Sequence, residues 1–297
     1  MSQKTVLLTG SSGFVGSFLQ KFLADSGYLV KCTSSKFKPE STYQCDLRIS
    51  AAVTEMLDTV KPDFLIHLAA LSSVTSGQTL DYYSGNVVVT ENIINAIEKC
   101  NKNTRLIFFS TAGVYGNQPS EILVEDLVPL PVSHYAFSKY VCERMIISAF
   151  EGLNFTILRP FNIIGPGQSP LFIIPKLVSH FKSRDKIIEI GNVNAIRDFI
   201  DVNDCCSITN AVLENPASFG KIINLGTGVG RSVKSICELL SEITGHNPHY
   251  HVFDNLLRRN DVLSLVASTV ELGRMFSGPR DFVPLKVSLE KMLGNQD

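Results

Sequence analysis

Short apolar runs rich in β-branched residues alternate along the chain with longer segments whose apolar positions recur at helical spacing. The strand-like runs are Thr5 to Thr9, Leu29 to Thr33, Phe64 to Leu68, Leu106 to Ser110 and Phe155 to Leu158. Between them lie helix-like stretches at Phe14 to Asp25, Ala51 to Val60, Tyr82 to Lys99 and Tyr135 to Phe150. Strands that are apolar throughout suit a sheet covered on both faces, and strand–helix alternation builds such a sheet from parallel strands. With right-handed crossovers, the pattern predicts an α/β fold with one doubly wound parallel sheet. After Pro160 the rhythm loosens into Gly165-Pro166-Gly167 and Ser169-Pro170, then a short helix near Pro175 to Ser183. The later pieces, Ile187 to Ile190, Phe199 to Val202, Ile222 to Leu225 and the helix Val233 to Thr244, look too short and mixed for an independent core.

Composition narrows the function classes. With 44% apolar and 19% charged residues among 297, the chain collapses around a core rather than staying disordered. Lys+Arg 27 against Asp+Glu 28 leaves no basic field for a phosphate backbone, so no nucleic-acid partner is expected. No apolar run approaches the roughly 18 residues that cross a bilayer, and the first strand-like run begins at Thr5, so no membrane partner and a cytoplasmic location are expected. Seven scattered cysteines with no CxxC pair read as small buried thiols in a reducing compartment. His67, His134 and the pair His249 and His251 lack further ligands at suitable spacing, so no metal is expected.

The strongest local signal is Thr9-Gly10-Ser11-Ser12-Gly13-Phe14-Val15-Gly16, at a strand end and opening a helix. Gly10 permits the tight turn, Gly13 lets backbone approach a pyrophosphate, and Gly16 lets helix and strand pack closely. The helix N-terminus then offers free N–H groups to the phosphates. This is a Rossmann-type nucleotide loop. It makes 1–160 a dinucleotide-binding domain that also receives later strands, and 161–297 mainly a small C-terminal substrate-binding subdomain interleaved with it. The GxxGxxG spacing points to the short-chain dehydrogenase/reductase branch. At the end of the second strand, Thr33-Ser34-Ser35-Lys36-Phe37-Lys38 contains no acid to bond a ribose 2′-hydroxyl. Ser34, Ser35 and Lys36 would instead donate to a 2′-phosphate, which favours NADP(H), with NAD(H) as the alternative.

Tyr135 and Lys139 stand four apart at the start of a helical segment and project from one face. A nearby ammonium favours an ionised phenol, lowering its pKa by about 1–3 units. Ser110 and Thr111 end the fourth strand-like run, at the edge where open α/β sheets place ligands. A hydroxyl there can hold a carbonyl oxygen beside the phenol.

The glycine loop, the Ser-Thr pair before Val114-Tyr115-Gly116, the Tyr-x-x-x-Lys and Arg159-Pro160-Phe161-Asn162 together resemble the extended short-chain dehydrogenase/reductases of the NAD-dependent epimerase/dehydratase family, which act on nucleotide sugars. The likeness spans nearly the whole chain. Its most specific parts are the run from Arg159 to Pro170 and Arg197-Asp198-Phe199, which look like the family's 4-keto-6-deoxysugar reductases. The resemblance implies Tyr135 as proton donor, Lys139 as its tuner and a ribose contact, and Thr111 as the hydroxyl orienting the keto group. It places Gly10, Ser12, Gly13, Phe14, Val15 and Gly16 at the pyrophosphate, and Asp46 and Leu47 at the adenine. It also implies cofactor contacts from Leu68, Ala69, Ala70, Ser110 and Arg159. Substrate contacts would come from Ser72, Ser73, Thr111, Asn162, Arg197, Arg258 and Asp261. The family's dimers form through the helices Tyr82 to Lys99 and Tyr135 to Phe150, so a homodimer is expected; Val87, Ile94, Ile97, Val141, Met145 and Phe150 are the apolar candidates for an outward face.

Dehydratases of the family carry Asp-Glu directly after the catalytic Thr, whereas this chain has Ala112-Gly113. Dehydration is thereby disfavoured. The resemblance leaves an NADPH-dependent C4 reduction, with 4-epimerisation as the alternative and a non-catalytic NADP-binding sensor or scaffold as an alternative from another class.

Overall fold

The computed structural model describes residues 3–35, 42–72, 79–252, 262–276, 278 and 280–294. Its elements run β1 (Thr5–Thr9), α1 (Phe14–Asp25), β2 (Leu29–Ser34), β3 (Thr42–Gln44), α2 (Ser50–Val60), β4 (Phe64–His67), α3 (Thr79–Tyr82), α4 (Val88–Cys100), β5 (Arg105–Phe109), α5 (His134–Ile147) and β6 (Phe155–Pro160). There follow β7 (Asn162–Ile164), α6 (Ile173–Lys182), β8 (Ile187–Ile190), β9 (Ile196–Asp201), α7 (Val202–Glu214), β10 (Lys221–Leu225), β11 (Gly230–Ser232), α8 (Val233–Thr244), β12 (His249–Val252), β13 (Ser264–Leu265), α9 (Val270–Met275) and α10 (Leu285–Leu293).

Seven strands form the main sheet in the order β10-β6-β5-β4-β1-β2-β3. The pairs β1–β2, β1–β4, β2–β3, β4–β5 and β5–β6 are parallel. Strand order reverses on either side of β1, and such a switch point is where a doubly wound sheet opens a crevice for its ligand. β4 and β5 are buried along their whole length, as strands covered on both faces must be. On one face Leu7, Leu65, Leu106 and Phe108 pack against Met56 and Leu57 of α2, Ile93 and Ile97 of α4 and Ile146 of α5.

That packing corrects the outward face read from the sequence, because Ile94 and Ile97 lie in this core. The single helix expected over Tyr82 to Lys99 is also divided. A π-helical turn at Tyr83–Val87 separates α3 from α4. The wider turn carries the buried Asn86, whose side chain bonds the backbone of Leu71 through both of its polar atoms.

The chain packs as two compact units, one of Met1–Val114, Pro131–Arg159 and Cys206–Ile223 and the other of Tyr115–Leu130, Pro160–Cys205 and Asn224–Asp297. The second unit has its own core, against the expectation that its pieces were too short for one. Leu177 and Phe181 of α6, Ile236 and Leu240 of α8 and Leu289 of α10 converge with Ile188, Ile190 and Phe199. Three apolar helix stripes supply this core, and the short strands only border it: β9 pairs with β7, β11 and β13, and β8 with β12. All seven cysteines are free thiols, six of them buried. Among the described residues no helix is long and apolar enough to cross a membrane.

Candidate active site

The β1–α1 turn is built so that side chains are excluded. Gly10 has φ +73°, and a Cβ there would sit 2.7 Å from the Ala69 backbone nitrogen. A Cβ on Gly16 would fall 2.2 Å from the Gly10 carbonyl oxygen, so α1 starts directly against the turn. Gly13 caps α1 without any side-chain bond to its first N–H groups, and the first turn holds no acid. Bare amides at a helix N-terminus and a turn no Cβ could enter fit a dinucleotide pyrophosphate. Ser12 and Gly13 are exposed on this loop, with Phe14 and Val15 half-buried behind them.

Leu68, Ala69 and Ala70 follow β4 beside the end of β1. The amide of Leu68 donates to the Thr9 carbonyl at 3.3 Å and that of Ala69 to the Thr9 hydroxyl at 3.2 Å. Ser34 ends β2 and Ser35 follows it, and Cys45 N–H donates to the Ser34 carbonyl. Asp46 is held in a two-pronged pair with Arg48 at 2.9 and 2.6 Å, which keeps its carboxyl near 2. The Leu47 carbonyl accepts from Asn92 at 3.0 Å. Lys36, Ser73, Arg258 and Asp261 lie outside the described residues.

The reacting groups come from two adjacent pieces of the first unit. Ser133 caps α5 by accepting from Ala136 N–H, which sets Tyr135 in the first turn and Lys139 one turn later. Thr111 follows β5 and hydrogen-bonds the Tyr135 phenol, while its Oγ1 accepts from Gly113 N–H at 3.1 Å. Lys139 is only 2% exposed, and its Nζ lies 4.1 Å from the centroid of the Phe108 ring. The electrostatics differ from the sequence expectation. Desolvation raises Tyr135 to about 12, against the Thr111 hydrogen bond, and burial lowers Lys139 to about 8. Removing both groups from water opposes both charged forms, so the phenol is raised rather than lowered.

Sequence reasoning missed the groups beneath this pair. Glu143 is fully buried one turn beyond Lys139; its carboxylate accepts from Arg159 Nε at 3.0 Å, Arg159 Nη2 at 2.7 Å and the Ser110 hydroxyl. Ser110 and Arg159, both read as cofactor contacts, are therefore placed in one buried cluster. Asn86 Nδ2 donates to Ser138 Oγ at 2.9 Å, and that hydroxyl donates to the Tyr135 carbonyl, which ties the loop after β4 to α5. His67 Nδ1 shares a 2.8 Å hydrogen bond with the Thr9 hydroxyl; burial first, then Lys139, lowers its pKa to about 3, so it is neutral. An available signal for Glu143 was an acid repeating the four-residue step from Tyr135 through Lys139.

Asn162 and Arg197 belong to the second unit. Asn162 Nδ2 donates to the Asp198 carbonyl at 3.1 Å, and Arg197 Nη1 donates to the Ile196 carbonyl at 2.9 Å. Asp198 is fully buried, and its carboxylate accepts from Thr227 N–H and hydroxyl and from the amides of Gly228 and Ala267. Ser72 follows β4 and is half-buried. No three potential metal ligands gather among the described residues.

Residues 6–226 match the NAD dependent epimerase/dehydratase family. A GDP-6-deoxy-D-talose 4-dehydrogenase of Aggregatibacter actinomycetemcomitans is 35% identical over 294 residues, 98% of this chain and 97% of its own. A GDP-6-deoxy-D-mannose reductase of Pseudomonas aeruginosa is 29% identical over 257 residues, 82% of this chain and 81% of its own. The solved structure of RMD from Pseudomonas aeruginosa with NADPH superposes with a TM-score of 0.86 at 25% identity, covering 99% of this chain and 98% of that one. Other matching structures hold NAD.

Proposed function

Because the chain belongs to the NAD dependent epimerase/dehydratase family, and so is a nucleotide-sugar-modifying enzyme built for a nicotinamide cofactor, we propose that it is an NADPH-dependent 4-ketoreductase acting on a GDP-linked 4-keto-6-deoxyhexose of the GDP-4-keto-6-deoxy-D-mannose type. The observation that carries this reading is the placement of Tyr135 and Lys139 one turn apart on α5, with Thr111 just past the end of β5 and no Asp-Glu pair after it. Burial favours the protonated phenol, the form that can donate to a carbonyl oxygen.

NADPH held at the glycine turn would supply the hydride for the sugar C4. Thr111 and Tyr135 hydrogen-bond the carbonyl oxygen, and Tyr135 gives it a proton as its negative charge develops. Lys139, one turn away, offsets the charge left on the phenolate, which then takes a proton from solvent. Asn162 and Arg197 would hold the diphosphate. Ala112-Gly113 after Thr111 supplies no second acid and base for dehydration. Ser34 and Ser35, with no carboxylate at the end of β2, support NADP(H). The 4-dehydrogenase name of the 35% relative describes oxidation at the same carbon, the reverse of this reaction.

The chain is also proposed to be a homodimer through the outer face of α4 and α5, where Val88, Phe137, Val141 and Ile147 are exposed.

The test incubates the protein and 4-deuterated NADPH with GDP-, dTDP-, UDP- and CDP-linked 4-keto-6-deoxysugars and follows the product by NMR. Deuterium at C4 of the GDP sugar, with one NADPH consumed per product, is expected. Interconversion of the C4 epimers of the reduced, 4-hydroxy GDP sugar with oxidised cofactor and no net change in it would make it an epimerase, and NADPH binding without turnover a sensor. Tyr135→Phe is expected to lower turnover by about 10²–10⁴ with NADPH affinity retained.

A further inference from the structure

The carboxylate of Glu143 joins three elements of the site. It sits on α5 with Tyr135 and Lys139, accepts the Ser110 hydroxyl from the residue before Thr111, and takes both prongs of Arg159 at the end of β6. Both members of the ion pair are buried, with side chains 1% and 2% exposed. A buried pair of this kind is a weak source of stability, because well-packed apolar residues of similar size serve as well or better. Its charge calls for another explanation, and Lys139 is one helical turn away.

We propose that Glu143 is a positioning residue for proton transfer: it keeps Lys139 an ammonium inside the protein and fixes the strand end that carries Thr111, while Ser110 and Arg159 act by holding Glu143. The groups facing Lys139 leave the task to this carboxylate. On α5 these are Tyr135, Cys142 and Glu143; β4 contributes His67, which is neutral; β5 contributes the Phe108 ring; β6 contributes Arg159, whose guanidinium is engaged by Glu143. Of the two acidic groups that favour the ammonium against burial, Cys142 is itself held protonated by burial, so Glu143 is the standing negative charge.

The inference rests on Tyr135 and Lys139 as the reacting pair, and its test uses a readout independent of turnover. Unfolding free energy is measured against pH for the full chain and for Glu143→Gln, each with the matching Lys139→Met variant subtracted, so that only the lysine's protonation remains. The folded-state midpoint of the lysine's titration, read as the lower bend of the difference curve, is expected near pH 8 in the parent and about one unit lower in Glu143→Gln. The basic limb of kcat should move with it. Glu143→Gln/Arg159→Met, which removes both charges of the pair and leaves no unpaired buried guanidinium, should fold as well as the parent and show a smaller downward shift. Ser110→Ala, which keeps the charge, should lower kcat and leave the midpoint in place. Unmoved midpoints in both Glu143 variants would overturn the proposal. The stability titration decides it even if no keto sugar is reduced, a result that would count against the reductase reading alone.

Discussion

Lys139 is an ammonium with almost no access to water, and its lowered pKa has a sign that can be followed into stability. The folded value, about 8, lies below the unfolded 10.5. Between those pH values the unfolded chain holds a proton that the folded chain has released, so stability rises with pH across that window. Below about pH 8 the full penalty stands, on the order of 3 kcal/mol. Lys139→Met is therefore expected to abolish turnover and to raise the melting temperature by several degrees at pH 7, with the gain fading by about pH 10.5. Calorimetry across pH 6 to 11 checks it. A lower melting temperature at pH 7 would mean that the Phe108 ring and Glu143 stabilise the charge by more than burial opposes it.

At the scale of elements, the glycine turn gives the sharpest expectation because the obstruction is backbone. In Gly16→Ala the new methyl would meet the Gly10 carbonyl at 2.2 Å, and neither partner is a side chain that can swing away. The start of α1 must move off the turn, which disperses the amides aimed at the pyrophosphate. NADPH affinity, read by fluorescence titration, should fall at least about tenfold, with an overpacking cost of about 1–3 kcal/mol in chemical unfolding. Unchanged affinity would show that α1 is not the phosphate anchor.

The same turn was legible in the sequence because its requirement is local: three glycines, a strand and a helix N-terminus within eight residues. α1 and α8 were likewise found at their observed bounds, each from its own apolar period. The π turn was not, since the partners that bury Asn86, Leu71 and Ser138, lie 15 and 52 positions away. Glu143 reads as a surface acid until Arg159 and Ser110 are folded onto it. The core of the second unit escaped notice because it arises where α6, α8 and α10 meet, and no one of them shows it.

For the molecule as a whole, the unusual feature is the polarity of α5. Its inward face carries Ser138, Lys139 and Glu143, while Phe137 (45% exposed) and Val141 (38%), one turn apart, face outward. A helix of a monomer normally directs its apolar stripe to the core and its charges to water. Here the chemistry occupies part of the inner face, and the outward Phe137 and Val141 are left for a partner to cover. A second copy presenting the same residues about a two-fold axis would provide that cover. Light scattering on the 32.7 kDa chain should give roughly twice that mass, and Phe137→Glu/Val141→Glu should return it to the monomer. Because Thr111, Tyr135, Lys139 and the glycine turn all come from one protomer, the monomeric variant should still bind NADPH. A wild-type chain that runs as a monomer at micromolar concentration would refute the interface and leave Phe137 and Val141 to another partner.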